Sequence, residues 1–192
     1  MNDEKIREVL DLYRRHLDAQ GIGPPPCLPW SIIDEYPCAV LDTARAELIE
    51  PQLRLLVRSL RDIFRENGVR PARFDLEART TARQAVLGHC CQMLDPILAF
   101  LDEGRTDKAL RWYGFAYGCL YVTNRPAGRK PELLAACRLV LDDAGLLLDE
   151  GDRANSFVAL GFCQGCFFAV GEFSIGEMAA HNRPAGPAVA PA

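Results

Sequence analysis

The chain predicts an all-α protein, and three observations carry that prediction. No segment of the 192 residues sustains the two-residue apolar alternation of a half-buried strand. Apolar residues recur instead at helical spacing through most of the chain, interrupted by Gly and Pro stops. Finally, residues 90–124 align with residues 137–171 without gaps to give 11 identities in 35 positions, a 47-residue offset that predicts duplicated helical hairpins.

The elements follow in order. In "NDEKIREVLDLYRRHLDAQG", Ile6, Val9, Leu10, Tyr13 and Leu17 share a face, acids open the segment and Gly21 closes it, which predicts a first helix. "GIGPPPCLPW" cannot extend it, because consecutive prolines lack donors and force extended backbone. Residues 1–30 therefore read as a semi-independent N-terminal helix with a Pro-rich loop, and residues 31–183 as the bundle. Residues 39–49 and 52–67 are predicted as two helices divided near Pro51, the second carrying Leu53, Leu56, Val57, Leu60 and Phe64 on one stripe. Residues 75–103 are predicted as one long helix with Pro96 inside it, and a helix from about Asp107 to Val122 follows the "DEG" turn. Helices at 131–149 and 152–170 repeat that arrangement, so the hairpins are placed at 77–124 and 130–171. A last short helix starts at Ser174, with Glu177 at capping-box spacing, and the Pro- and Ala-rich tail 184–192 is expected to be disordered.

"GFAYGC" (114–119) and "GFCQGC" (161–166) place paired glycines inside two of these helices. Each interior Gly costs roughly 1 kcal/mol relative to Ala, so a compensating contact is expected. Glycines four apart lie on one helix face and open a notch for another backbone. Gly114 and Gly118 are thus expected to meet Gly161 and Gly165, with Cys119 and Cys166 beside the crossing. The pattern is compatible with a crossing inside one chain or across a homodimer.

Composition excludes several functions. A content of 49% hydrophobic and 25% charged residues is that of a globular protein, and a net charge of −4 with pI 5.4 argues against a generally basic nucleic-acid binder. The longest uncharged apolar run, 157–171, falls short of the about 18–20 residues a membrane helix needs, so no membrane association is expected. The N-terminus has no basic segment followed by an apolar one, and a cytoplasmic location is the expectation. The eight cysteines then read as reduced thiols.

Candidate chemistry is sparse. Cys163 and Cys166 have the spacing of a zinc or redox pair, but they sit within an apolar helix and the position matching Cys163 is Ala116, so packing thiols are expected and no metal or cofactor. His16, His89 and His181 have no nucleophile or acid at a recognisable spacing, and Asp102/Glu103 and Asp149/Glu150 read as solvated helix-end charge; no catalytic residue is assigned. Residues 54–83 hold eight arginines against four acids. Arg54, Arg58, Arg61 and Arg65 fall on one helix face and, with Trp30 and Tyr36, form the expected partner-binding surface, since Arg, Trp and Tyr dominate binding hot spots.

"DKALRWYGFAYGCLY" (107–121) and "ALGFCQGCFFAVGEFSIGEMAAHNRP" (159–184) resemble a pattern found in small uncharacterised bacteriophage and prophage proteins of Gram-negative hosts. Its usual form runs Glu-Lys-Ala-Met-Arg-Trp-Leu-Gly-Phe-Ile-Gln-Gly, then an apolar run, a Thr-Ile-Asp-Glu-Met segment and His-Asn-Arg. The likeness covers the C-terminal half well and "LDLYRRHLDAQGI" (10–22) more loosely. Here the pattern is split: Lys108, Arg111 and Trp112 lie in the first repeat, which has Tyr117 where the pattern has Gln, while Gln164 and the "HNRP" ending lie in the second. The resemblance implies a phage accessory protein and supplies no catalytic residues. The expected function is accordingly a non-enzymatic factor that binds a host defence complex, such as a CRISPR effector, and blocks it by occlusion. The alternative is a nucleic-acid-associated regulator using Arg54 to Arg83.

Overall fold

In the computed structural model, residues 1–23, 41–73, 75–79, 81–125 and 129–183 are described, and they contain seven helices and no strand. These are α1 (Asp3–Ala19), α2 (Ala46–Glu66), α3 (Arg83–Asp102), α4 (Thr106–Thr123), α5 (Lys130–Asp149), α6 (Arg153–Ala169) and α7 (Ile175–His181). The tail 184–192 and most of the Pro-rich loop, including Trp30 and Tyr36, lie outside the described residues.

The centre of the molecule is the pair α4 and α6, and the glycines explain why. A Cβ placed on Gly114 would fall within 3.0 Å of the Val158 carbonyl, and one on Gly118 within 3.0 Å of the Phe162 carbonyl. Reciprocally, a Cβ on Gly161 would strike the Arg111 backbone and one on Gly165 the Phe115 backbone. Contacts advance along both helices in the same direction, so α4 and α6 run parallel, backbone against backbone, within one chain. Small residues at such a crossing exchange helix propensity for dispersion contact along the whole interface. Every residue of α6 after Arg153 is buried, including Phe157, Phe162, Phe167 and Phe168. A helix apolar on all sides is one enclosed on all sides.

The outer helices cover this pair from both flanks: α3 packs on α4 and α5 on α6, while α2 lies against α3 and α1 against α5. Each hairpin turns at a glycine that needs positive φ, Gly104 (70°) between α3 and α4 and Gly151 (84°) between α5 and α6. The closing bonds match at the 47-residue offset, Arg105 N–H to the Phe100 carbonyl at 2.7 Å and Asp152 N–H to the Leu147 carbonyl at 2.8 Å. Helices α1 and α2 end alike, with Ile22 N–H bonding the Leu17 carbonyl at 3.0 Å and Val69 N–H the Phe64 carbonyl at 2.9 Å, again 47 residues apart.

Two sequence expectations are corrected. Residues 39–49 and 52–67 do not form two helices; α2 runs unbroken through Pro51, which is its sixth residue. At that depth the missing N–H removes one early bond, and the buried stripe Leu53, Val57, Leu60 and Phe64 holds the helix across it. Before α2, Leu41 is clamped by a buried amide, its N–H donating to Asn155 Oδ1 at 3.3 Å and its carbonyl accepting from Asn155 Nδ2 at 3.1 Å. Nor is the segment 75–103 one helix: α3 begins at Arg83. The Asp75 carboxylate accepts from Glu77 N–H at 3.0 Å, a local turn that competes with helix, and the Leu76 carbonyl is taken by Gly176 N–H at 2.8 Å. The predicted cap of α7 is present, with the Ser174 and Glu177 side chains each bonded to the other's backbone N–H.

Candidate functional site

The parallel crossing of α4 and α6 opens a cavity at the N-terminal end of α4. Lys108, Arg111, Trp112 and Phe115 recur at three- and four-residue steps, so α4 presents them on one face toward it. Helix α3 contributes His89 and Met93 to the wall, and α6 contributes Gln164. Helix α7 lies across with Ile175, Met178 and Asn182, again on one face, and Leu76, Arg105 and Arg183 complete the lining. The space is open to solvent on one side and has a volume of about 500 Å³, the scale of a site for a small organic ligand.

Its walls divide into an apolar part and a cationic part. Phe100 meets the Trp112 ring edge-on at 5.0 Å, and Lys108 Nζ lies 4.0 Å from the Phe100 centroid and 5.1 Å from that of Trp112. Arg105 is paired with Glu103 at 2.9 Å. Among the described residues Lys108, Arg111 and Arg183 have no carboxylate partner and no acidic residue lines the cavity. The nearest acid in sequence, Asp107, is taken by the Met1 ammonium at 2.9 Å. Arg111 Nη1 is out of solvent and has no hydrogen-bond partner. Burial pushes the Arg111 guanidinium down from its ordinary range, and burial with the neighbouring Arg105 and Arg111 charges does the same to Lys108.

Behind the cavity stands a buried polar relay. Gln164 Nε2 donates to Tyr13 Oη at 3.0 Å and to Asn182 Oδ1 at 3.1 Å, and Tyr13 Oη lies 3.3 Å from His181 Nδ1. Burial raises the Tyr13 hydroxyl well above its ordinary pKa, so it stays a neutral donor and acceptor; burial also lowers the pKa of His181 and of His89. The relay fixes which way the Gln164 and Asn182 amides point. The chemistry available is recognition of an anion against an apolar wall.

The other sequence candidates are placed elsewhere. Arg54 bridges Glu50 at 2.7 Å and Asp102 at 2.6 Å, Arg61 pairs with Asp95 at 2.5 Å, and Arg65 with Asp62 at 2.9 Å, so most of the arginine strip on α2 is neutralised by the chain itself. Arg58 is exposed, and none of the four lines the cavity. Cys163 and Cys166 are buried free thiols bonded to the Cys137 and Gly118 carbonyls at 3.6 and 3.7 Å, and burial pushes both up, away from thiolate. Among the described residues no group of three or more His, Cys, Asp and Glu could hold a metal ion, and no helix is long and apolar enough to cross a membrane. The carboxylates at the hairpin turns act in ion pairs, Asp102 with Arg54 and Asp149 with Arg7 at 2.6 Å.

Sequence reasoning chose α2 as the binding surface and passed over the cavity. The signal was nonetheless in the text of the chain: Lys108, Arg111, Trp112, Gln164, Met178, Asn182 and Arg183 all belong to the two stretches quoted above, and all seven line this one space. Comparison of the chain with family models, curated proteins and solved structures finds no match. Fold and site define an all-α protein with a cationic, apolar-walled cavity between the α3–α4 hairpin and α7.

Proposed function

We propose that this protein is a non-enzymatic binding factor of bacteriophage type, acting in the host cytoplasm, that blocks a host defence complex such as a CRISPR effector by occlusion, with the cationic rim of the cavity beside α4 in the contact surface and the cavity itself a recognition site. The observation that supports this reading is the convergence of Lys108, Arg111, Trp112, Gln164, Met178, Asn182 and Arg183, drawn from segments more than 40 residues apart, on a single space with unpaired positive charge. Unpaired cations beside buried aromatic surface are the composition of a binding hot spot. The matched turns and glycine notches at the 47-residue offset support descent of α3–α4 and α5–α6 from one duplicated hairpin, in which Lys108 and Arg111 of the first copy correspond to Asn155 and Val158 of the second.

The test is affinity capture from a bacterial host carrying a defence system, joined to an assay of that system's interference activity. Recovery of a defence subunit with loss of interference, both abolished by Lys108→Glu or Arg183→Glu, is the expected result. Full inhibition by these variants, or no inhibition by the wild type, would refute the reading. The second reading, a nucleic-acid-associated regulator, draws on the exposed Arg58, Arg70 and Arg73; it predicts steeply salt-dependent DNA or RNA binding that is lost with Arg58→Glu and indifferent to Lys108→Glu.

A further inference from the structure

The cavity is incomplete as it stands. A positive group held away from water without a counter-charge is costly, and proteins normally pair or hydrate it. Here Lys108, Arg111 and, at the exposed rim, Arg183 converge on a space that no acidic side chain among the described residues lines, and Arg111 Nη1 is out of solvent with no hydrogen-bond partner. Gln164 is 3% exposed and held by Tyr13, which leaves Asn182 as a presented amide at the same end. The His89 ring and Arg105 also reach the wall, and Met93, Phe115, Ile175 and Met178 give it an apolar side.

We infer that the cavity binds a small amphiphilic organic anion, an acyl or aryl carboxylate, sulfonate or phosphate, with its charged head against Lys108, Arg111 and Arg183 and its apolar body against Met93, Phe115, Ile175 and Met178. This rests on the cavity being a recognition site and adds what it recognises. Three observations fix the class. Three cations with no carboxylate bonded to them among the described residues favour negative charge in the ligand. The apolar wall excludes a bare inorganic ion as the full occupant, because such an ion would leave most of the volume to water. A volume of about 500 Å³ matches a free small molecule rather than a folded surface. The ligand's anion adds to the distant charges of Asp107 and Glu103 a counter-charge inside the cavity, so binding offsets the mutual repulsion of Lys108 and Arg111.

The experiment uses the full chain and two fluorescent probes of similar shape, anionic anilinonaphthalene sulfonate and neutral phenylnaphthylamine, followed by competition with dodecanoate. The sulfonate is expected to bind with saturation at one site. Lys108→Met and Arg111→Met should each weaken it about tenfold, the size of one lost charge-assisted hydrogen bond, and leave the neutral probe unchanged. Arg183→Met, at an exposed position where folding is not at stake, should act in the same direction. Displacement by dodecanoate is the supporting outcome. Sulfonate binding that is absent, or as tight in all three variants as in the wild type, overturns the inference, as does displacement solely by an acetylated peptide ending in a free Leu carboxylate, which would assign the cavity to a partner's chain terminus. Because the probes are small molecules, failure here leaves the interference assay unaffected, so the two proposals fall separately.

Discussion

The Cys119 thiol donates to the carbonyl oxygen of Gly165 across 3.3 Å, from α4 to α6. Its counterpart runs the other way, from Cys166 to the Gly118 carbonyl at 3.7 Å. Both acceptors are notch glycines, whose missing Cβ lets the two backbones approach closely enough for a short thiol to reach the facing carbonyl. Gly114→Ala or Gly161→Ala forces backbone against backbone and is expected to destabilise by about 2–4 kcal/mol. Gly145→Ala is the control: its Cβ would meet a side-chain end and no backbone, the Arg14 guanidinium, so the change should cost no more than about 1 kcal/mol for re-seating the Arg14 bonds to Asp142 and the Leu141 carbonyl, offset by the helix propensity gained. Urea denaturation of the three variants measures the contrast.

Glu172 ties three elements together. It accepts from Lys130 at 2.5 Å, and from His16 and Gln20 at 2.7 Å each. Burial works to raise its carboxyl, yet the bonds from Lys130, Gln20 and His16 hold it down to about 2. Its folded pKa is thus depressed below the value of 4.5 expected in an open chain, so its stabilisation is complete above that value and is lost as pH falls toward 2. Glu172→Gln is expected to cost about 1–2 kcal/mol at neutral pH, and the difference from wild type should vanish in acid. Thermal melts between pH 2 and 7 test this.

Tyr13 is fully buried and its hydroxyl is the hinge of the polar relay behind the cavity. Tyr13→Phe preserves the ring contacts with Phe167 at 5.1 Å and Phe173 at 5.5 Å and removes only the oxygen. The Gln164 amide then loses one of its two partners, and a loss of about 1–2 kcal/mol is expected on chemical denaturation.

Arg111→Met is expected to raise stability by about 1 kcal/mol, because it replaces a largely buried, unpaired charge with an apolar chain of similar length. Stability gained at the expense of ligand binding is the mark of a group retained for recognition. A fall in the melting temperature would show instead that the guanidinium holds the fold.

The fold was legible where local signals agreed with tertiary packing. Gly21, Gly68, Gly104 and Gly151 stop helices in the text of the chain and have positive φ in the structure, and the Gly-x-x-x-Gly spacing announced the α4–α6 crossing. The failures lie where a local rule competes with a distant contact. Pro51 reads as a break but is overruled by the stripe that α2 buries, whereas 75–82 reads as helix but is claimed by the Asp75 turn and by α7. The site was harder still. Arg54, Arg61 and Arg65 look free in sequence, and the acids that neutralise them include Asp95 and Asp102 on a different helix, while Arg111 looks ordinary until α7 is laid beside it.

The central claim is that residues 108–115 and 164–183 form one anion-binding space. Side-chain NMR of the full chain during titration with dodecanoate tests it most directly. The account predicts that the Trp112 indole, the Gln164 and Asn182 amides and the Met93 and Met178 methyls shift together with a single affinity. Shifts confined to the α2 arginines Arg54 to Arg65, or none at all, would contradict it.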